Sequence, residues 1–539
     1  MRHLKAPQEV DTLFDMDALA WWHRQLSANA LVALQRGWQG VFHRSILRLM
    51  GEPAERLGED LDAELGRPSK ELYAMSGLLL IAEFKNWTID QAAEAWSYHA
   101  DLQYALHLPR DGQYLCARTL DNYRRLQREK VEVEEIFARV TQTLVEELEL
   151  DVRRQRLDST HVLSNMAQFG RLQLLAVGVR RFLHALQRHA PEQHQSVAET
   201  LRQRYEPAES RLFGLGTKTP VPRAEALQQV AADLAVLVAR FGSDAQCQKW
   251  SSFIALERLL GEHCEVRAQK VTVRPQSRDA QGGNTECLQN PSDPEAGYSG
   301  HKGPGHQTQL AQMLPPRDKN GRSEGPGLVT ACVPQSAAVR DNEALAAILE
   351  QQGRSGLLAE EMTADTIYGS DANVQACARQ GVRLISPVGG KAPEKPSAKH
   401  RCSRAEAELK ERLAERRQQQ ASEEWRASYR QRSGIEGLHH ALDMVTGLKN
   451  LRVRGRRAVN VAIWLKVSGW NIWAAAKIHA RRARHPTAGT APQGKTALSS
   501  PSPRRQRLLG SRHRLLLRRL PSKRTFSPCP SAPPTLRRY

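Results

Sequence analysis

Apolar residues over positions 12–150 recur at helical spacing, with few strand-like alternations and turn signals near Gly51-Glu-Pro and Pro109-Arg-Asp-Gly. This pattern predicts an all-helical N-terminal domain over residues 1–150. Within it, Thr88-Ile-Asp-Gln reads as a capping box opening a helix through Trp96. A second helix opens at Ala117-Arg-Thr-Leu-Asp-Asn-Tyr. Its Leu120, Tyr123 and Leu126 face a core while Arg118, Asn122 and Arg125 face outward, as a helix that reads a DNA groove requires. An ordinary amphipathic helix with a basic face has the same pattern.

From Arg153 the periodicity changes. Arg-Gln-Arg-Leu-Asp-Ser-Thr-His-Val-Leu alternates as a strand does and carries Asp158. Residues 168–290 return to helical spacing, as in Leu172-Gln-Leu-Leu-Ala-Val-Gly-Val, and predict a helical domain inserted into a sheet-based one. Strand signals resume at His306-Gln-Thr-Gln-Leu-Ala-Gln-Met-Leu and Leu328-Val-Thr-Ala-Cys-Val, separated by the polar turn Arg317-Asp-Lys-Asn-Gly; they predict an antiparallel pair. A short helix from Asp341, a strand leading to Asp365, a helix over 371–379 and a strand from Val382 then alternate, which implies parallel neighbours in a mixed sheet. Residues 389–403 have linker composition, and a charged helix follows from about Arg404. The fold class expected is therefore α/β: a mixed sheet in 151–167 and 291–480, interrupted by the helical insertion and preceded by the all-helical domain.

Charge adds an asymmetry. The net charge is +20, yet the last acidic residue is Asp443, and residues 444–539 hold 22 Lys and Arg. That leaves 56 basic against 58 acidic residues in 1–443, so the excess belongs to one end. A cation-only segment suits a polyanion such as DNA; a solvated tail accounts equally well for 481–539, which is expected to be basic and disordered. The eight cysteines are scattered without a Cys-x-x-Cys pair, as expected of reduced thiols in a cytoplasm. No apolar stretch approaches the ~20 residues of a membrane span.

Three acids stand in compact motifs: Asp158 in Arg-Leu-Asp-Ser-Thr-His, Asp365 in Thr-Ala-Asp-Thr-Ile-Tyr-Gly and Glu436 in Ser-Gly-Ile-Glu-Gly-Leu. Two carboxylates on strands and one on a helix, convergent in space, suffice to hold paired Mg²⁺ (or Mn²⁺) ions, because such hard cations take one or two carboxylates each and complete their shells with water and phosphate. Tyr429, Arg432 and Glu436 at i, i+3 and i+7 are expected on one helical face. Gly434 and Gly437 flank Glu436 although each weakens a helix by about 1 kcal/mol, which fits a close approach of a DNA backbone.

In order along the chain, Arg156-Leu-Asp-Ser-Thr-His-Val-Leu-Ser-Asn-Met, Ser292-Asp-Pro-Glu-Ala-Gly-Tyr-Ser-Gly-His-Lys-Gly, Ala364-Asp-Thr-Ile-Tyr-Gly-Ser-Asp-Ala-Asn and Arg432-Ser-Gly-Ile-Glu-Gly resemble bacterial insertion-sequence transposases of the DDE type. Gly66-Arg-Pro-Ser-Lys-Glu-Leu-Tyr-Ala-Met-Ser-Gly-Leu is similar to their N-terminal domain, and the likeness spans roughly residues 20–475. It implies a ribonuclease H-like sheet, metal-dependent DNA strand cleavage and transfer, and a triad at Asp158, Asp365 and Glu436. It also implies double-stranded DNA partners (element ends and target), a homo-oligomer assembled on DNA, and a cytoplasmic, nucleoid-associated location. Relatives carry a Tyr, Arg, Glu, Lys signature on the last helix; Tyr429, Arg432 and Glu436 match its first three members, and Asp443 stands where the Lys is expected.

Asp293, in Ser-Asp-Pro-Glu, is the runner-up for the second acid, against an Asx-Pro turn. Lys302 in a Gly-flanked loop is a candidate phosphate contact, and Lys449, Arg452 and Arg454 form a candidate DNA-tracking patch. His161, His306, His439 and His440 lack zinc-ligand spacing. Two other readings of the chain are a catalytically decayed DNA-binding remnant and a nuclease of the same fold without strand transfer.

Overall fold

The computed structural model describes residues 26–62, 68–108, 114–206, 222–267, 270–274, 287–390 and 403–484. Most of the expected linker 389–403, and the expected tail beyond Arg484, lie outside the described residues.

The described strands are β1 (Arg154–Val162), β2 (Cys264–Arg267), β3 (Lys270–Val273), β4 (Gly297–Ser299), β5 (Gly303–Met313), β6 (Val329–Ser336), β7 (Glu361–Ala364) and β8 (Arg383–Ile385). Across the main sheet the order is β6-β5-β1-β7-β8, with β4 folded onto the start of β5. β5 is antiparallel to both β1 and β6, whereas β1, β7 and β8 run parallel. The antiparallel β5–β6 pair and the parallel β7–β8 neighbours are those the pattern predicts.

Alternation along β1 sorts its side chains between two cores. Leu157 joins Ala311, Ala331, Ile348, Met362 and Tyr368 on one face, beneath the helix Leu345–Arg354. Val162 faces the other way, with Leu310, Met313 and Val329, into a larger cluster. That cluster is continuous with the helices of the N-terminal part and with the long helix Arg456–Arg484. The amino-terminal helices and the sheet thus share one core. Lys466 stitches them together: its buried ammonium donates to Glu83 O (3.0 Å), Asn86 Oδ1 (3.1 Å) and Thr446 O (2.7 Å).

The N-terminal region is helical where described. Thr88 forms the expected capping box on Ile89–Tyr98. The helix Ala117–Lys130 buries Leu120 and Tyr123, partly buries Leu126, and exposes Arg118, Asn122 and Arg125. Helices Arg171–His189, Arg223–Phe241 and Ser251–His263 enclose a second cluster around Leu175, Phe182, Leu234 and Phe253. The purely helical expectation for 168–290 misses the ribbon of β2 and β3, whose Val266 and Val271 stand opposite each other. Among the described residues no helix is long and apolar enough to cross a membrane.

Candidate active site

Register explains why two distant carboxylates meet. In the parallel pairing of β1 with β7, Leu157 stands opposite Ala364, so the next residues, Asp158 and Asp365, leave the paired ends side by side. Asp158 Oδ1 accepts from the Ser159 N–H (2.9 Å). Asp365 caps the turn Thr366–Tyr368, accepting from the Thr366 N–H (2.6 Å), and its carbonyl is pinned by the Ser386 hydroxyl (2.6 Å). One cation serves both acids: Arg432 Nη2 lies 3.4 Å from Asp158 Oδ2 and 3.7 Å from Asp365 Oδ2. Its Nε is buried without a partner. Burial pushes the Asp158 carboxyl above the usual aspartate range; the Ser159 N–H and Arg432 oppose this, and Asp365 and Asp341 add to it.

The carrier of Arg432 is not the single helix that the i, i+3, i+7 spacing suggests. Helix Glu423–Arg430 ends at a tight turn, Gln431–Ser433, before helix Gly434–Thr446 begins. Tyr429 lies on the first helix, stacked on Trp425 with ring centroids 5.0 Å apart. Arg432 occupies the turn, and Glu436 is exposed on the first turn of the second helix. The turn is anchored from below by Arg156, whose Nη1 donates to Gln431 O (3.3 Å) while Nε and Nη2 hold Gln312 Oε1 (2.8 and 2.6 Å). Burial lowers the Arg156 guanidinium to about 10.

The two glycines beside Glu436 differ. A Cβ on Gly434 would come within 1.8 Å of Arg156 Nη1, so its close approach is to the protein itself, which corrects the expectation of a DNA contact there. Gly437 faces open space with nothing within 4 Å.

Behind Asp158, on the opposite face of β1, is a polar knot that sequence reasoning missed. Asp341 Oδ2 accepts from the Ser159 hydroxyl (2.9 Å) and lies 3.3 Å from Lys302 Nζ, while Gln309 Nε2 donates to Asp341 Oδ1 (2.9 Å). Lys302 Nζ also donates to Ser159 Oγ (2.6 Å) and Gln307 Oε1 (3.1 Å), and the Tyr368 hydroxyl bonds Gln309. The ammonium proposed as a phosphate contact is therefore already engaged within the protein. Asp341 looked only like a helix opener; the signal available was a lone Asp placed between two motif strands.

Asp293 is fully buried at the far end of β1, accepting from Ser164 Oγ (2.5 Å) and His306 Nε2 (3.2 Å). It ties loops together and shares no contact with Asp158 or Asp365 among its described bonds.

After helix Gly434–Thr446 the chain extends the end of β1. Leu163 N–H donates to Lys449 O, Leu451 N–H to Leu163 O, and Asn165 N–H to Val453 O, each at 2.8 Å. Leu451 and Val453 turn into the core and Arg452 and Arg454 to the other side, and Lys449 is also exposed. Asp443, in the position expected for Lys, caps this turn by accepting from the Lys449 N–H (2.9 Å). Arg457 Nη2 donates to Glu129 O (2.7 Å), joining the strip to the end of helix Ala117–Lys130. The positive field reaches inward: burial, then Lys449, Lys302, Arg156 and Arg432, depress His439 to about 4, leaving it neutral.

Asp158 and Asp365 suit a divalent cation, being hard oxygen donors that already share one positive group. Among the described residues no set of three or more His, Cys, Asp and Glu groups is gathered closely enough to hold a metal ion, so Glu436 is not brought to the pair.

Residues 387–475 match the family model described as a transposase DDE domain, which supports a DDE-type transposase. The matched segment carries Tyr429, Arg432, Glu436 and the basic strip, and leaves Asp158 and Asp365 outside it. No curated protein and no solved structure matches the chain.

Proposed function

We propose that the protein is a DDE transposase that binds the terminal inverted repeats of its element and catalyses metal-dependent DNA strand cleavage and strand transfer. The observation that carries this reading is the convergence of Asp158 and Asp365 at paired strand ends around Arg432. The order β6-β5-β1-β7-β8, with two antiparallel and then two parallel pairings, supports a ribonuclease H-like sheet. Asp158 and Asp365 would hold a Mg²⁺ or Mn²⁺ ion; Glu436, which is not gathered with them here, would have to approach to serve as the third ligand. A bound divalent cation supplies Lewis acidity to the attacking and leaving oxygens of the phosphodiester.

The rest falls to the chain. Arg432 offers a charged donor to a phosphate; its Nε is buried and unpartnered and would have to turn outward to take part. Lys449, Arg452 and Arg454 hold a backbone without reading sequence. Arg118, Asn122 and Arg125 face outward on their helix, where base edges of the element end would be read; Arg125 also pairs with Glu129 at 3.0 Å. Residues 1–150 would serve as the DNA-binding domain and the 168–290 insertion as a contact between copies in a homo-oligomer on DNA, in the cytoplasm. The intact Asp158–Arg432–Asp365 arrangement speaks against a decayed remnant.

The test is cleavage and joining of labelled element ends with Mg²⁺ or Mn²⁺. Asp158→Ala, Asp365→Ala and Glu436→Ala are each expected to abolish both products. Full activity in any of the three would overturn the triad, and cleavage without joined product would favour the nuclease.

A further inference from the structure

Arg432 is held in a way that neither a metal ligand nor a simple phosphate contact requires. One edge of its guanidinium, Nη2, serves Asp158 and Asp365 at 3.4 and 3.7 Å, and the neighbouring Nε is buried and unpartnered. Its backbone cannot wander, because Arg156 bonds Gln431 O and the Gly434 backbone packs against the same side chain. Its side chain is 19% exposed.

Resting on the reading above, we infer that Arg432 is a resident counter-cation that couples DNA binding to cation loading. Two carboxylates and one guanidinium leave a net charge of −1. Adding a divalent cation while Arg432 stays would leave +1 with two positive groups crowded together. Adding a cation and a phosphate together leaves zero and gives Arg432 an anion with which its guanidinium, unpartnered at Nε, can pair. Cation and DNA phosphate therefore favour each other's binding, and the coupling is reciprocal. In the absence of DNA the carboxylates stay paired with Arg432, which keeps the site from loading metal before a substrate is present.

The test measures Mn²⁺ binding rather than catalysis. Free Mn²⁺ is followed by electron paramagnetic resonance in the full-length protein, with and without a 20-base-pair duplex of arbitrary sequence, subtracting binding to the duplex alone. Without DNA, Arg432→Gln is expected to bind Mn²⁺ about tenfold more tightly than the starting protein, within the 5–150-fold span of common couplings. Arg432→Lys, which keeps the charge, should stay near the starting value. Adding the duplex should tighten Mn²⁺ binding by the starting protein and leave Arg432→Gln unchanged. Equal or weaker Mn²⁺ binding by Arg432→Gln, or no effect of the duplex on the starting protein, overturns the coupling while leaving the transposase reading intact. Unaltered Mn²⁺ binding by Asp158→Asn combined with Asp365→Asn would instead overturn the carboxylate site on which both rest. Melting curves of each variant establish that it is folded.

Discussion

The backbone of Gly434 packs so tightly on Arg156 that a methyl group there would lie 1.8 Å from Nη1. Arg156 has no room to retreat, since Gln312 and the Gln431 carbonyl hold its guanidinium. Gly434→Ala should therefore destabilise the protein by about 1–3 kcal/mol, the usual cost of overpacking. Gly437→Ala, facing open space on the same helix, should stabilise it by about 0.5–1 kcal/mol. Urea unfolding of the two variants checks the contrast. A DNA backbone passing over Gly437 would show as lost cleavage in a variant that is more stable, not less.

The strip should behave as a set of separate phosphate contacts. Binding of a duplex falls with salt by a slope of about 0.9 per phosphate neutralised. Arg452→Gln and Arg454→Gln should each reduce the slope by roughly that amount, and their Lys counterparts should restore it. Arg404→Gln, at a similarly exposed site distant in sequence, serves as the control. Fluorescence anisotropy across a salt series measures this; an equal loss in the control would mean diffuse attraction rather than a track.

Protons compete at Asp158. Its raised folded-state value means that the native protein binds this proton more tightly than the unfolded chain. The associated stability is full below the ordinary aspartate value and is lost as pH rises towards the raised one. Asp158→Asn should thus melt higher than the starting protein at neutral pH, with the gap closing in acid. Calorimetry over a pH series would expose the idea as wrong if the variant melted lower throughout.

Asp341 offers a third contrast. Asp341→Asn weakens the pairing with Lys302 behind β1 and should cost about 1–3 kcal/mol, with cleavage reduced but present. Asp158→Ala should instead abolish cleavage with little loss of stability. Thermal melting and single-turnover cleavage together separate the two.

Local signals were readable in the chain where local physics decides. The helix Asp371–Arg379 was legible because Ser370 caps it, and the Thr88 box because both of its partners lie within four residues. The strand carrying Asp158 was legible by alternation, whereas its parallel pairing with the strand leading to Asp365 was not: nothing local in 154–162 names a neighbour about 200 residues away. The break at Gln431–Ser433 was hidden, because the side chain that anchors it, Arg156, lies 275 residues earlier. The Lys302–Asp341 pair was hidden for the same reason: no spacing rule announces a partner supplied by a turn elsewhere in the chain. Of the two glycines beside Glu436, Gly434 does mark a close approach, by Arg156, and Gly437 faces open space; the sequence distinguishes neither the two positions nor the neighbour.

The core common to the amino-terminal helices and helix Arg456–Arg484 has a consequence for the order of events during synthesis. A chain growing from its amino terminus has made Asp158 and Asp365 long before Lys466 exists to close that core. Until then Leu310, Met313 and Val329 lack the surface that covers them. The newborn polypeptide should remain unable to finish the face that carries Asp158 and Asp365, and dependent on chaperones, until helix Arg456–Arg484 clears the ribosome.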